Sequence, residues 1–132
     1  MLQGVCVNYL LDTNVLIYSL CNPSGLSNEA RRIITTERDL SVSIVSFWEI
    51  AIKQTLGKLS IKSTIPQIEQ ICIARDIKIL PISSIEIEAI KNLPLIHKDP
   101  FDRLIISQAQ QNNLCLLTSD TTIPQYNVNT IW

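Results

Sequence analysis

The sequence predicts a three-layer α/β fold with a short, mostly parallel central sheet between layers of helices. Two observations carry this. Short apolar runs recur along the chain and are continuous rather than alternating, as strands covered on both faces must be. Segments of helical periodicity separate them, so strand and helix alternate along the chain. There is no repeat, no low-complexity stretch and no linker rich in Gly, Pro or Ser, so residues 1–132 are expected to form a single domain.

Val7 to Leu11 is the first strand, ending at Asp12, and a helix from Thr13 to Leu20 follows. Ser27 is placed to cap a helix over residues 28–36. Leu40 to Ile44 reads as a strand. Ser46-Phe47-Trp48-Glu49 has the S-x-x-E form of a capping box, with Val45, Trp48, Ile52 and Leu56 at helical spacing and Gly57 placed to end the helix. Ile65, Ile68 and Cys72 mark a further helix, with Pro66 tolerated in its first turn. Ile77 to Ile82 is a buried strand, and Ser83-x-x-Glu86 opens a helix running through Ile90 and Leu93. Asp99-Pro100-Phe101-Asp102 is the clearest helix start: an Asp cap, Pro at the first helical position and an acid at the third. Phe101, Leu104, Ile105 and Ala109 form its buried stripe, and Asn112-Asn113 can end it. Leu114 to Thr118 is a strand that delivers Asp120, and Val128 to Ile131 is a last short one.

Composition narrows the function classes. Apolar residues make up 46 % and charged residues 17 %, which excludes disorder. No apolar run approaches the roughly 20 residues that span a bilayer. The start, Met-Leu-Gln-Gly-Val, lacks the basic region of a secretory signal. A net charge of -1 excludes a protein that holds nucleic acid mainly through a large positive field, but not a nucleic-acid enzyme whose acids lower the total. Cys6, Cys21, Cys72 and Cys115 are far apart, form no metal-type pair, and three of them sit in apolar stretches. A reduced, cytoplasmic protein is expected.

Four acids share a placement. Asp12 and Asp120 lie at or just beyond the carboxyl ends of apolar strands, and Glu49 and Asp102 fall in first helical turns. In an open α/β sheet these positions gather on one rim, where ligands bind. Crowded carboxylates repel, and a hard divalent cation, Mg²⁺ or Mn²⁺, relieves that repulsion. Such an ion suits phosphodiester hydrolysis. Each acid also has a structural reading: Asp12 as a helix cap, Glu49 as half of the capping box, Asp102 as a partner of the helix dipole, Asp120 as a turn former. Their joint placement favours chemistry. Thr13, Asn14, Thr118 and Ser119 flank the rim and could contact phosphate or water, or serve only caps and turns. Asp99 is the natural helix cap and stays outside the ligand set. His97, the sole histidine, reads as loop structure unless it acts as a base. Lys53 lies one turn beyond Glu49 and fits an ion pair. Lys58 and Lys62 read as solvated, and Trp48 and Phe101 as core.

Four stretches, Tyr9-Leu-Leu-Asp-Thr-Asn-Val-Leu-Ile-Tyr18, Val45-Ser-Phe-Trp-Glu-Ile-Ala-Ile-Lys53, His97-Lys-Asp-Pro-Phe-Asp-Arg-Leu-Ile-Ile-Ser-Gln-Ala109 and Leu116-Leu-Thr-Ser-Asp120, resemble the PIN-domain family, especially its small VapC-type toxins. The resemblance implies a metal-dependent endoribonuclease acting on RNA, held inactive by a VapB-like antitoxin and commonly a homodimer. It implies Asp12 and Asp102 as core ligands of Mg²⁺ or Mn²⁺, Glu49 as a ligand or as the group orienting water, and Asp120 completing the set. Two other readings of the same residues stand beside it. One is a catalytically silent binding module of the same fold, against which the complete acid quartet argues. The other is an aspartyl-phosphate receiver domain with Asp12 as nucleophile, in which Asn14 takes the place where a second acid is expected.

Overall fold

The computed structural model of the chain describes residues 6–132. Residues 1–5, on which the reading of a start without a secretory signal rests, lie outside the described residues. Five strands run β1 (Asn8–Leu11), β2 (Asp39–Ser43), β3 (Ile77–Leu80), β4 (Cys115–Leu117) and β5 (Thr130–Ile131). They form one sheet in the order β3-β2-β1-β4-β5, and every pairing is parallel. The six helices are α1 (Thr13–Cys21), α2 (Asn28–Thr36), α3 (Ile44–Thr55), α4 (Ile65–Ala74), α5 (Ser84–Ala89) and α6 (Pro100–Gln111). The α/β class and the three layers stand as the sequence predicts. No helix among the described residues is long and apolar enough to cross a membrane.

Alternation along the central strands separates two cores. Tyr9 and Leu11 of β1, with Cys115 and Leu117 of β4, face α1 to α4 through Val15, Leu16, Ala30, Ile33, Phe47, Ile50, Ile68 and Cys72. Leu10 and Leu116 point the other way, onto Ile105, Ile106 and Ala109 of α6, with Val45, Ile123 and Tyr126. Burial on both faces explains why these strands read as unbroken apolar runs. Cys72 and Cys115 are buried, Cys6 half-buried and Cys21 exposed, all as free thiols.

The helix starts follow side-chain chemistry. Asp12 caps α1, Ser27 caps α2, and Asp99 caps α6 with Pro100 at the first position. Thr64 with Gln67 and Ser83 with Glu86 make full capping boxes at α4 and α5. Gly57 takes φ +69° just past α3, and Asn113 takes φ 54° just past α6, each in the left-handed region that stops a helix.

Helix α3 departs from expectation. Its cap is Ser43, whose side chain accepts from Val45 N–H at 3.1 Å, so the Ser46–Glu49 capping box does not form. Strand β2 therefore ends at Ser43 and passes into helix with no loop, which moves Glu49 from the first turn to the second. Trp48, expected in the core, faces outward at 61 % exposed, as does Leu56. Trp48 instead meets half-buried Phe101 edge to face, with ring centroids 5.1 Å apart. Strands β3 and β5 stop short of Ile82 and Val128.

Glu86 joins α5 to α6. Its buried carboxylate accepts from Ser83 N–H at 2.9 Å, Gln108 Nε2 at 3.2 Å and Asn112 Nδ2 at 2.8 Å. Burial opposes its charge, but the donors from Asn112, Ser83 and Gln108 win and hold it below the usual carboxylate range. Glu86→Ala is expected to cost about 2–4 kcal/mol, since it leaves Ser83 N–H, one donor of the fully buried Gln108 and one of Asn112 without their acceptor. A urea melt above pH 6 measures this loss. Because the native pKa is lowered, the difference from the parent shrinks as pH falls through the carboxylate range.

Candidate active site

Strand β1 lies at the centre of the sheet and ends at Asp12, between the carboxyl ends of β2 and β4. Asp12 N–H donates to Leu117 O at 3.1 Å, which ties it to the last turn of β4. Its carboxylate is 4 % exposed and doubly held: Oδ1 accepts from Val15 N–H at 2.8 Å, and Oδ2 from the Thr118 hydroxyl. It is therefore both the α1 cap and a rim acid. Burial above all, with the charges of Asp120 and Glu49, raises its pKa to about 6 against the pull of Thr118 and Val15.

Glu49 reaches the same rim from α3. Its Oε2 pairs with Lys53 Nζ at 3.4 Å, the i, i+4 pair expected from the sequence. Its Oε1 is buried and has no hydrogen-bond partner among the described residues. Asp102, in the first turn of α6, has its pKa pushed up to about 7 by burial first and by the nearby Asp99 carboxylate second. A positive charge on His97, present only if the ring were protonated, would oppose that rise, while Glu49 and Asp12 add to it. Burial also works against the charge of Asp120, but the Thr122 N–H and His97 hold it below the usual range. The charges of Asp120 and Glu49 bear on Asp12, and those of Glu49 and Asp12 on Asp102, so the four acids are neighbours along the rim.

The tightest part of this cluster includes His97, a residue expected to serve loop structure. His97 Nε2 lies 2.9 Å from Asp120 Oδ2 and 3.1 Å from Asp102 Oδ2, and these three atoms fall within 4.8 Å of one another. Tyr126 and Arg103 place its backbone. Tyr126 Oη accepts from Ile96 N–H at 3.1 Å and His97 N–H at 2.7 Å and donates to Pro94 O at 2.8 Å. The Arg103 guanidinium donates to the carbonyls of Ile90, Leu93, Pro94 and His97. The one sequence clue to His97 was its place two residues before the Asp99 cap, from which its ring can lean over the start of α6.

The flanking polar residues divide. Thr13 is buried, with its hydroxyl 2.9 Å from that of Ser46, and Thr118 fixes Asp12 while accepting from Asp120 N–H at 3.0 Å. Asn14 and Ser119 are exposed and make no side-chain hydrogen bond among the described residues. Asp99 accepts from Phe101 and Asp102 N–H as a cap should, and Lys58 and Lys62 are exposed.

The donor set suits a hard divalent cation. It is rich in carboxylate oxygen, two of its acids are raised by burial and by neighbouring charge, and one buried oxygen is orphaned. An unpaired buried carboxylate oxygen is costly, and a cation supplies the missing partner.

Solved structures share this architecture. A chain of the VapBC2 complex from Rickettsia felis, bound to a DNA fragment from their promoter, aligns with TM-score 0.66 and 18 % identity, over 93 % of this chain and 96 % of that one. A chain of a toxin–antitoxin complex from Klebsiella pneumoniae gives 0.65 and 20 %, over 95 % and 97 %. One of FitAcB from Neisseria gonorrhoeae gives 0.65 and 19 %, over 94 % and 96 %. At these identities the likeness is one of fold. No curated protein matches the sequence. The PIN domain family model, however, matches residues 9–129, from the middle of β1 to just before β5 and across all four rim acids. By that match the chain belongs to the PIN domain family.

Proposed function

We propose that the chain is a metal-dependent endoribonuclease, the toxin of a VapBC-type toxin–antitoxin pair. The observation that carries this reading is the buried rim where Asp12, Glu49, Asp102 and Asp120 crowd and where Glu49 Oε1 lacks a partner. PIN domains are generally nucleases, and the structural neighbours are toxin–antitoxin complexes, which supports both the chemistry and a VapB-like antitoxin partner. The expected setting is a single domain over residues 1–132, working in the cytoplasm as a homodimer.

Asp12, Asp102, Glu49 and Asp120 would hold Mg²⁺ or Mn²⁺. Bound there, such an ion supplies charge to offset a phosphodiester and lowers the pKa of water. The protein's own groups do the positioning. Thr118 keeps Asp12 in one rotamer, and Glu49 Oε1 is free to accept from water. Buried Thr13 holds Ser46 beneath the rim, while exposed Asn14 and Ser119 flank it, where they can meet RNA phosphates.

Purified, antitoxin-free protein incubated with total cellular RNA is expected to yield discrete fragments with Mn²⁺ and none with EDTA. Cleavage that persists in EDTA would overturn the proposal. So would a folded protein that cuts no RNA and binds no Mn²⁺.

A further inference from the structure

The His97 ring is fixed from both sides. Asp99 N–H points at Nδ1 at 3.1 Å, while Nε2 faces Asp120 Oδ2 at 2.9 Å and Asp102 Oδ2 at 3.1 Å. A backbone amide can only donate, so Nδ1 must be bare. An imidazole always carries at least one proton, which then sits on Nε2. Nε2–H is thus a donor aimed into the acid cluster. By distance alone His97, Asp102 and Asp120 look like three ligands of one metal ion. The chemistry disagrees. Ligation through Nε2 would move the proton to Nδ1 and set two donors against each other across the 3.1 Å gap to Asp99.

We propose that His97 is not a metal ligand but a positioning residue: its Nε2–H holds Asp120 against Asp102, and the Asp99 amide sets the tautomer that makes it a donor. This rests on the metal-site reading above. Asp120 is the most exposed of the His97–Asp102–Asp120 group, its side chain 30 % accessible against 16 % for His97 and 19 % for Asp102. Without the donor, two like charges close together drive it toward solvent, and an incoming cation must gather it back. Partners that orient ligands in this way typically change metal affinity about 10–100-fold when removed.

The single histidine makes the test clean, because nitrogen-15 spectra of labelled protein contain one imidazole. At pH 7.5 a bare Nδ1 and a protonated Nε2 are expected, unchanged on adding Mg²⁺. Mn²⁺ affinity, read from the free-ion electron paramagnetic resonance signal, is expected to fall about 10-fold or more in His97→Leu. His97→Gln, whose amide N–H reaches the same place, is expected to restore most of it. A proton on Nδ1, or an Nε2 resonance that moves as a ligand's would on adding Mg²⁺, overturns the proposal. So does a His97→Leu variant that binds Mn²⁺ as the parent does. A parent that binds no Mn²⁺ defeats the metal-site reading and this role together, whereas a parent that binds and a variant that binds equally defeat only the role. Should His97→Leu fail to fold, the tautomer and the Gln variant decide.

Discussion

Asp102→Asn is expected to abolish RNA cleavage and, in the metal-free protein at pH 8, to raise the melting temperature. The first effect follows from removing a carboxylate at the centre of the rim, with a loss of about 10³-fold or more. The second follows from linkage. The native pKa of Asp102 is raised from 3.8 to about 7 by burial and by Asp99. A raised acid stabilises the fold fully below its unfolded pKa and loses that contribution as pH rises through the native value. At pH 8 the folded protein therefore carries an ionised, crowded Asp102 at a cost of a few kcal/mol. An uncharged asparagine escapes that cost, so the variant melts roughly 5–10 °C higher at pH 8 and within a degree or two of the parent at pH 4.5. Saturating Mg²⁺ narrows the gap, because it stabilises the parent and not the variant. Paired thermal melts at the two pH values are the check. A variant that melts lower at pH 8 would show that Asp102 holds the fold together rather than straining it.

Arg103→Met should be the most damaging single change outside the acids. The guanidinium donates to Pro94 O at 2.9 Å and to the carbonyls of Ile90, Leu93 and His97 at 3.3 Å, and lies 3.4 Å from Tyr126 Oη. A thioether satisfies none of these acceptors, and the expected cost is about 3–4 kcal/mol. Lysine is no remedy, since one ammonium cannot match a planar fork of five donors. The damage should be local first. Amide hydrogen exchange over residues 90–99 should accelerate before that of the sheet, and Mn²⁺ affinity should fall because His97 loses its anchor. Unchanged exchange in that segment would mean that Tyr126 alone holds the loop.

Much of the rim was legible because its logic is local. Asp12 and Asp120 follow apolar strands, and Asp99-Pro100 marks the start of α6 by composition alone. The errors arose where local rules compete. Ser46-x-x-Glu49 satisfies the capping-box pattern, but Ser43 lies three residues earlier, at the end of β2, and takes the cap first. Apolar residues lie all around α3, so spacing could not fix which face turns inward, and Trp48 was placed on the wrong one. The place of His97 among the acids is not a local property. Its position is set by Tyr126, 29 residues away, and by a guanidinium that reaches across a turn, and no window of sequence displays that closure.

The sheet order has a consequence for synthesis on the ribosome. Strands β1, β2 and β3 come from the first 80 residues and pair on one side of β1, while the other edge of β1 waits for β4 at Cys115–Leu117. Asp12 meets Thr118 across 106 residues, a gap of roughly 5–20 s at ordinary elongation rates. The growing chain cannot assemble the acid rim until residues 115–120 have emerged. Until then the apolar edge of β1 is open to pairing with other chains. An unformed acid rim and vulnerability to aggregation in the nascent chain thus have one origin, the late insertion of β4.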